Sequence, residues 1–287
     1  MRKLRRYLAI PLLFAMTLTA ACGTRHDENV VRIGVNDLAL AHWEVFERKA
    51  AEAGIAVEFT NFSDYNQPNP ALRQRQVDLN KFQHVRYLAN YNARNNDTLV
   101  PIGATEIFPL TLYSKKHKDV AAIPVGGEIT LSNNPANQVR PLLSLAAAGL
   151  IVLKGGATWD SKIEDVDTAA SRVRLTTIDP TLTAQSLDSV DAAFVDDTFA
   201  VPAGLTQREV IYTDDPNRPE LKQYINIFAA RAEDKDDPIL LRLTEIYHDP
   251  DVEAAIRAES GYDGIFKYND RADLQATATE LEAKFSR

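Results

Sequence analysis

The strongest constraint on the fold is the alternation of strand-like and helix-like patterns that begins at residue 30. Residues 30–35 are apolar and β-branched, residues 42–53 repeat apolar side chains at helical spacing, and residues 55–62 are strand-like again. A β-α-β start implies two parallel strands joined by a right-handed crossover. The chain therefore begins as an α/β fold.

The same alternation continues to the C-terminus, which extends the α/β prediction to the whole chain. Further strands are expected at residues 99–104, 107–113, 129–131, 172–178, 192–195 and 225–230. Further helices are expected at residues 83–94, 135–150, 238–248, 251–259 and 271–285. The length of 287 residues favours two lobes over one. A ligand of such a protein lies at the carboxyl ends of parallel strands or between the domains.

The first 22 residues have the form of an export signal. Four basic residues stand among the first six, a mostly apolar run follows, and small residues precede Cys22. The run is too short to cross a bilayer core of roughly 30 Å as a helix. A lone cysteine in this place is typical of a lipobox, whose thiol is acylated before cleavage; the alternative is an ordinary secretory signal with an incidental cysteine. We expect a lipobox signal at residues 1–22 and a polar tether at residues 23–29.

The charge of the chain excludes several function classes. It carries 32 Lys and Arg against 40 Asp and Glu, a net charge of −8, and loss of the basic signal makes this more negative. Nucleic-acid binding requires a basic face, so no nucleic-acid partner is expected. Anionic lipid would repel this surface, so membrane attachment has to come from lipid chains on Cys22. With its single cysteine used in this way, the exported chain forms no disulfide.

Motifs of catalysis are absent from the sequence. There is no G-x-S-x-G elbow, no phosphate-binding glycine loop, and no metal-ligand spacing among the five histidines. Adjacent acids occur at residues 196–197 and 214–215, but such pairs are common on surfaces. The sequence thus offers nothing in favour of an enzyme, and neither a metal nor a cofactor is expected.

Four segments carry a family resemblance. Residues 62–72 follow the pattern F-x-D-Y-x-x-P-N-x-A-L, and residues 77–84 contain D-L-N-K-F-Q-H, which matches the pattern D-x-N-x-F-Q-H. Residues 108–116 and 133–140 contribute F-P-L-T-L-Y-S-K-K and N-N-P-A-N-Q-V-R. In combination these segments resemble the NlpA family of lipoproteins, the methionine-binding components of ABC importers. The resemblance extends from about residue 32 to the C-terminal helix.

The resemblance implies a periplasmic-binding-protein-like fold with two α/β lobes, two crossing hinge strands and a ligand in the interlobe cleft. The chain would leave the first lobe near residues 108–113 and return through residues 210–228. We therefore assign residues 30–111 and 226–287 to lobe 1 and residues 112–225 to lobe 2.

An amino-acid ligand needs a cation for its carboxylate, an acceptor for its ammonium and a shaped pocket for its side chain. Arg140 can supply the first as a bidentate fork, near the start of a helix whose N–H groups add donors. The alternative for Arg140 is a surface arginine in an ordinary salt bridge. Asn137 lies three residues earlier, on the same helix face, and can contact the same ligand. The alternative for Asn137 is a residue that caps the helix or lies in its first turn.

Aromatic residues can supply the pocket. Phe82 and His84 are two residues apart at a strand end, so they point the same way, and Tyr65 lies in the preceding loop. Aromatic rings pack well against a thioether. By spacing alone, Phe82 is better explained as a core residue and His84 as a residue at the start of a helix. The family motif instead favours a ligand contact for both residues.

Two positions depart from the family pattern. Asp196 stands where the family has an asparagine, and three alternatives are open: an acceptor for the ligand ammonium, a change of ligand, or a helix cap. Trp43 replaces a small residue and would narrow or cover the cleft. Both departures concern the ligand and leave the architecture unchanged.

The resulting hypothesis is a non-catalytic, extracytoplasmic solute-binding protein anchored to the membrane through Cys22. It would bind methionine or a related small amino acid as a monomer and deliver it to an ABC permease in the membrane. The alternatives are another amino acid or a short peptide as ligand, an exported enzyme that uses His84 with an acid at residues 196–197, and a lipoprotein that no longer transports.

Overall fold

The computed structural model describes residues 30–259 and 264–286. The predicted signal, the tether and Cys22 lie outside the described residues. Within the described ranges no helix combines the length and the apolar character needed to cross a bilayer.

The first part of the chain builds the beginning of one lobe. Its elements, in chain order, are β1 (Val30–Val35), α1 (His42–Glu52), β2 (Ala56–Asn61), α2 (Pro68–Arg73), β3 (Leu79–His84), α3 (Val85–Asn95), β4 (Val100–Ala104) and β5 (Glu106–Ile107). β1 pairs in parallel with β2 and β3, which confirms the predicted β-α-β start. Gly54 ends the crossover helix at a φ of +77°, a conformation that residues with a Cβ rarely adopt.

The middle of the chain forms a second sheet with its own core. Its elements are β6 (Thr111–Tyr113), β7 (Glu128–Ser132), α4 (Val139–Ala147), β8 (Arg174–Ile178), α5 (Thr183–Ser186), β9 (Ala192–Phe194), α6 (Asp197–Ala200) and β10 (Val210–Thr213). The strand order is β10-β6-β9-β7-β8, with β7 parallel to both of its neighbours.

The chain then returns to the first lobe. The remaining elements are β11 (Asn226–Ala230), α7 (Pro238–Tyr247), α8 (Pro250–Arg257), β12 (Ile265–Phe266) and α9 (Arg271–Phe285). β11 inserts antiparallel between β3 and β4, giving the order β2-β1-β3-β11-β4, and β12 pairs with β5. α9 packs on α3 and β4 and buries Leu274, Ala278 and Leu281, as its stripe predicts.

Two short stretches join the two sheets. We call residues 108–110, between β5 and β6, the outgoing connection, and residues 214–225, between β10 and β11, the return connection. Each sheet is covered by helices and has separate buried apolar clusters. The predicted two-lobed α/β architecture is therefore confirmed, while the assignment of residues 30–111 and 226–287 to one domain remains a prediction.

Two predicted elements near the lobe boundary are wrong in their extent. The helix predicted from residue 83 begins at Val85, because His84 is an extended N-cap whose ring accepts a hydrogen bond from the Tyr87 N–H; Gln83 and His84 belong to β3. The strand predicted at 107–113 is two strands in different sheets, since the outgoing connection interrupts it.

The helix predicted at residues 135–150 is also divided. A 3₁₀ turn spans Pro135–Asn137, and α4 starts only at Val139. A continuous helix would need the Pro141 N–H to reach the Asn137 carbonyl, and proline has no N–H. In the observed structure Pro141 lies in the first turn of α4, where no such bond is required. This break places Asn137 and Arg140 on separate elements.

Candidate ligand-binding site

A cavity of about 470 Å³ lies between the two lobes. It is bounded by the loop after β1, the end of β3, both connections, the start of α4 and the loop into α6. Carboxyl ends of parallel strands thus form its floor, the usual place for a ligand in an α/β protein. All six residues predicted from the sequence line it, and their role in ligand contact remains a prediction: Tyr65, Phe82, His84, Asn137, Arg140 and Asp196.

Arg140 is a buried cation of the cavity, with 8 % of its surface exposed. Its Nε donates to Asp214 Oδ2 at 2.7 Å, and its Nη2 donates to Asp214 Oδ1 at 2.6 Å and to the Phe108 carbonyl at 3.1 Å. The guanidinium carbon lies 5.2 Å from the centre of the Tyr224 ring. Among the described residues no acceptor for Nη1 is found, so this nitrogen is the one that can donate to a ligand.

Asp214 is a buried partner of the candidate site that the sequence analysis does not identify. Its place in an adjacent acidic pair suggests a surface residue, yet it is 9 % exposed and accepts both arms of a bidentate ion pair from Arg140. A buried guanidinium requires such a partner, because an unpaired buried charge is costly. Arg140 and Asp214 are 74 residues apart, and no local pattern marks the pairing.

His84 and Asn137 join the two lobes across the cavity. His84 Nδ1 accepts the Tyr87 N–H at 3.0 Å, so the ring proton lies on Nε2, which donates to Asn137 Oδ1 at 3.0 Å. Burial, together with the charges of Arg86 and Arg140, lowers the pKa of His84 to about 3. The imidazole is therefore neutral, with both nitrogens hydrogen-bonded.

Three aromatic rings of the first lobe, Tyr65, Phe82 and Tyr87, line one side of the cavity, and Phe199 of the second lobe packs against Tyr65. The Tyr65 ring lies 6.1 Å from Phe82 and 5.3 Å from Phe199 of α6, and Tyr87 stands edge-on to Phe82 at 5.6 Å. The Tyr87 hydroxyl donates to the Tyr65 carbonyl at 2.8 Å, which fixes the loop that carries Tyr65. Tyr87 lines the cavity but is not among the predicted site residues, since it lies outside the family motifs.

Asp196 occupies the N-cap position of α6 without capping it through its side chain. Its carboxylate accepts the Tyr65 hydroxyl at 3.3 Å, and its backbone carbonyl accepts the Phe199 N–H at 2.8 Å. Burial raises the pKa of Asp196, while the Tyr65 hydrogen bond and the Arg140 charge oppose that rise. Of the three alternatives, the helix cap does not describe this side chain.

The expectation that Trp43 narrows or covers the cleft is wrong. Trp43 is 2 % exposed, packs in the core of the first lobe and donates its Nε1 hydrogen to Asp37 at 2.9 Å. Its neighbour His42 lines the cavity instead. On an amphipathic helix the larger apolar ring takes the core position, which turns His42 towards the cleft.

Further polar residues line the cavity outside the predicted set. Lys81 lies 2.9 Å from Glu106 and 3.6 Å from Asp37, and the Tyr247 hydroxyl donates to Glu106 at 2.9 Å. Asn226, opposite His84 in the strand register, also faces the cavity. Within the described part of the chain, no group of three or more His, Cys, Asp or Glu is arranged to hold a metal ion.

Two α/β lobes that enclose a polar and aromatic cavity at their strand ends define a solute-binding protein of the periplasmic type. Residues 31–267 match the family model described as NlpA lipoprotein. The chain belongs to the NlpA lipoprotein family, as its motifs predicted.

Relatives of known name agree with this membership. The chain is 32 % identical over 246 residues to "Outer membrane lipoprotein 1" of Mannheimia haemolytica, covering 81 % of this chain and 87 % of that protein. It is 31 % identical over 268 residues to "D-methionine-binding lipoprotein MetQ" of Yersinia pestis, covering 90 % and 97 %.

Solved structures show the same fold. Protein PG110 from Staphylococcus aureus superimposes with a TM-score of 0.82 at 31 % identity, covering 88 % of this chain and 99 % of that one. A nutrient-binding protein from Burkholderia cenocepacia, bound to methionine, superimposes with a TM-score of 0.77 at 29 % identity, covering 83 % and 100 %.

The lowered pKa of His84 predicts a pH dependence of stability. Below pH 6.5 the unfolded chain protonates this histidine while the folded state does not, so stability falls as the pH is lowered from 6.5 towards 3. The slope from one such group is at most about 1.4 kcal/mol per pH unit. His84→Asn keeps a helix-capping side chain and removes the titrating group. Measured by urea unfolding, its free energy of unfolding should therefore fall less steeply between pH 6.5 and 4 than that of the wild-type protein. Equal slopes would contradict the prediction.

Proposed function

We propose that this protein is the solute-binding component of an ABC importer and that it captures methionine or a closely related amino acid between its lobes. The observation that carries the proposal is the enclosed cavity in which Arg140 of the second lobe, Asp196 and an aromatic wall converge. A relative named for D-methionine binding and a similar structure with bound methionine support it.

Each part of an amino acid finds a complementary group. The carboxylate pairs with Nη1 of Arg140, beside the N-terminal turn of α4. The ammonium donates to Asp196, whose carboxylate already accepts the Tyr65 hydroxyl. The thioether packs against Tyr65, Phe82 and Tyr87, since sulfur interacts favourably with aromatic rings. Asn226 and His84 bound the remaining side of the cavity.

Ligand binding in this arrangement favours closure. The lobes contact each other through Tyr65–Asp196, His84–Asn137 and the Arg86 hydrogen bond to the Trp159 carbonyl at 3.3 Å. A ligand that touches both lobes gains contacts only in the closed form, and this difference in affinity shifts the equilibrium towards it.

The enzyme alternative is less well supported. It needs His84 as a base next to an acid at residues 196–197, but both ring nitrogens of His84 are engaged, by Tyr87 and Asn137. Asp196 hydrogen-bonds Tyr65. We therefore propose a binding role without chemistry, in line with relatives that are named for binding.

Location and partners belong to the same proposal. The family is one of lipoproteins, and Cys22 stands where an acylated residue is expected. We propose that lipid on Cys22 anchors a monomeric protein outside the cytoplasm, next to the permease that receives its ligand.

Calorimetry with a panel of free amino acids tests the ligand. Wild-type protein should bind methionine, or a close relative, without consuming it. Arg140→Ala should weaken that binding by about 2–5 kcal/mol, because it leaves the ligand carboxylate without its partner. Arg231→Ala is the matched control: Arg231 is equally buried and ion-paired, but it lies in the first lobe away from the cavity.

The controls decide between outcomes. Circular dichroism has to show that both arginine variants are folded, and Arg231→Ala should bind like wild type. Undiminished binding by folded Arg140→Ala would contradict the carboxylate assignment. Turnover of the ligand would favour the enzyme instead.

Asp196→Asn tests the ammonium contact. Hydrogen bonds to charged groups contribute about 1.5–3 kcal/mol, so methionine affinity should fall roughly ten- to hundred-fold. The des-amino analogue 4-(methylthio)butanoate has no ammonium, and its affinity should not fall. Tighter methionine binding by the variant would mean that Asp196 directs the site towards another ligand.

Cys22→Ala tests the anchor. Mass spectrometry of the wild-type protein should find an acylated Cys22 at the N-terminus, and the protein should partition with membranes. The variant should lack the lipid and leave the membrane fraction after cleavage or remain unprocessed. An unmodified Cys22 in the mature wild-type protein would contradict the proposal.

A further inference from the structure

The Arg140 side chain is held by both connections between the lobes. Its Nη2 donates to the Phe108 carbonyl in the outgoing connection, and Asp214, the first residue of the return connection, accepts from Nε and Nη2. Tyr224, near the end of the return connection, lies under the guanidinium. Every described hydrogen bond of this side chain therefore goes to a hinge segment.

Asp214 also joins the two connections to each other. Its Oδ1 accepts the Leu110 N–H at 2.8 Å, and its own N–H donates to the Leu110 carbonyl at 3.2 Å. One carboxylate thus serves a backbone donor of the outgoing connection and both donating nitrogens of the guanidinium edge. A carboxylate held at three points has little freedom to move.

This geometry fixes the orientation of the Arg140 guanidinium. With Nε and Nη2 committed to Asp214 and Phe108, the nitrogen that remains for a ligand is Nη1. A carboxylate that approaches it does not have to reorient the guanidinium. Such preorganisation lowers the cost of binding.

We propose that Asp214 is the positioning residue for ligand recognition: it sets the orientation of Arg140 and fixes it to both hinge segments. The inference rests on the proposed function, because it assumes a ligand carboxylate at Arg140. Asp214 does not contact the ligand itself in this proposal; it acts on the ligand through Arg140.

Two physical effects of removing the Asp214 charge oppose each other. An unopposed Arg140 attracts a ligand carboxylate more strongly, which would tighten binding. An asparagine at this position presents an N–H₂ group to one of the guanidinium donors, which displaces the fork and weakens binding. If Asp214 positions Arg140, the second effect dominates.

The experiment compares two ligands with three proteins. Methionine and methioninol, which lacks the carboxylate, are titrated into wild type, Asp214→Asn and Asp78→Asn, by calorimetry and by NMR for weak binding. Asp78 is the matched control, because its carboxylate pairs with Arg32 and Arg231 in the first lobe, outside the cavity. Thermal unfolding of each protein is measured in parallel.

Asp214→Asn should bind methionine at least ten-fold more weakly than the wild-type protein and should bind methioninol as tightly as the wild-type protein does. Asp78→Asn should change the melting temperature but not the affinity for either ligand.

Tighter or unchanged methionine binding by Asp214→Asn would overturn the inference, as would an equal loss of affinity for both ligands. If Asp214→Asn does not fold, Asp214→Glu decides: its charge is kept but displaced by one methylene, and methionine binding should again fall. A wild-type protein that binds neither methionine nor any other amino acid of the panel overturns the proposed function itself, and this outcome does not depend on the variants.

Discussion

The ion pair between Arg140 and Asp214 is the interaction on which the rest of the site depends. It unites the start of α4 with the point where the chain turns back towards the first lobe. A buried guanidinium without this partner would carry an uncompensated charge, which is strongly destabilising. Pairing with Asp214 lowers the cost of keeping this cation beside the cavity.

Other polar groups of the cavity are also hydrogen-bonded or ion-paired. His84 is kept neutral by burial and uses both nitrogens, one for the first turn of α3 and one for Asn137 in the opposite lobe. Lys81 is balanced by Glu106 and Asp37. Against this background Asp196 is distinctive, since its described partner is the neutral Tyr65 hydroxyl. A carboxylate with a neutral partner is suited to receive an ammonium.

Much of the fold was predictable because its signals are local. The β-α-β start follows from periodicity, and α9 has the predicted bounds because its buried stripe repeats at helical spacing. Errors arose where long-range structure decides. A single apolar run spans β5, the outgoing connection and β6, and no local property shows that its two ends join different sheets. Trp43 was misplaced because a departure from the family pattern does not reveal which way a helix face turns.

The sequence by itself determined the family, the α/β class and six of the residues that line the cavity, because motifs and periodicity are properties of neighbouring residues. Only the tertiary structure decided that Asp214 lies against Arg140, that Asp196 accepts the Tyr65 hydroxyl and that Phe199 packs against the Tyr65 ring. These partners are distant in the chain, and they come together through the two connections that bring the lobes face to face. The physical reason is burial: a buried charge requires a partner, and that partner is distant in the chain and is not identified by any local sequence pattern.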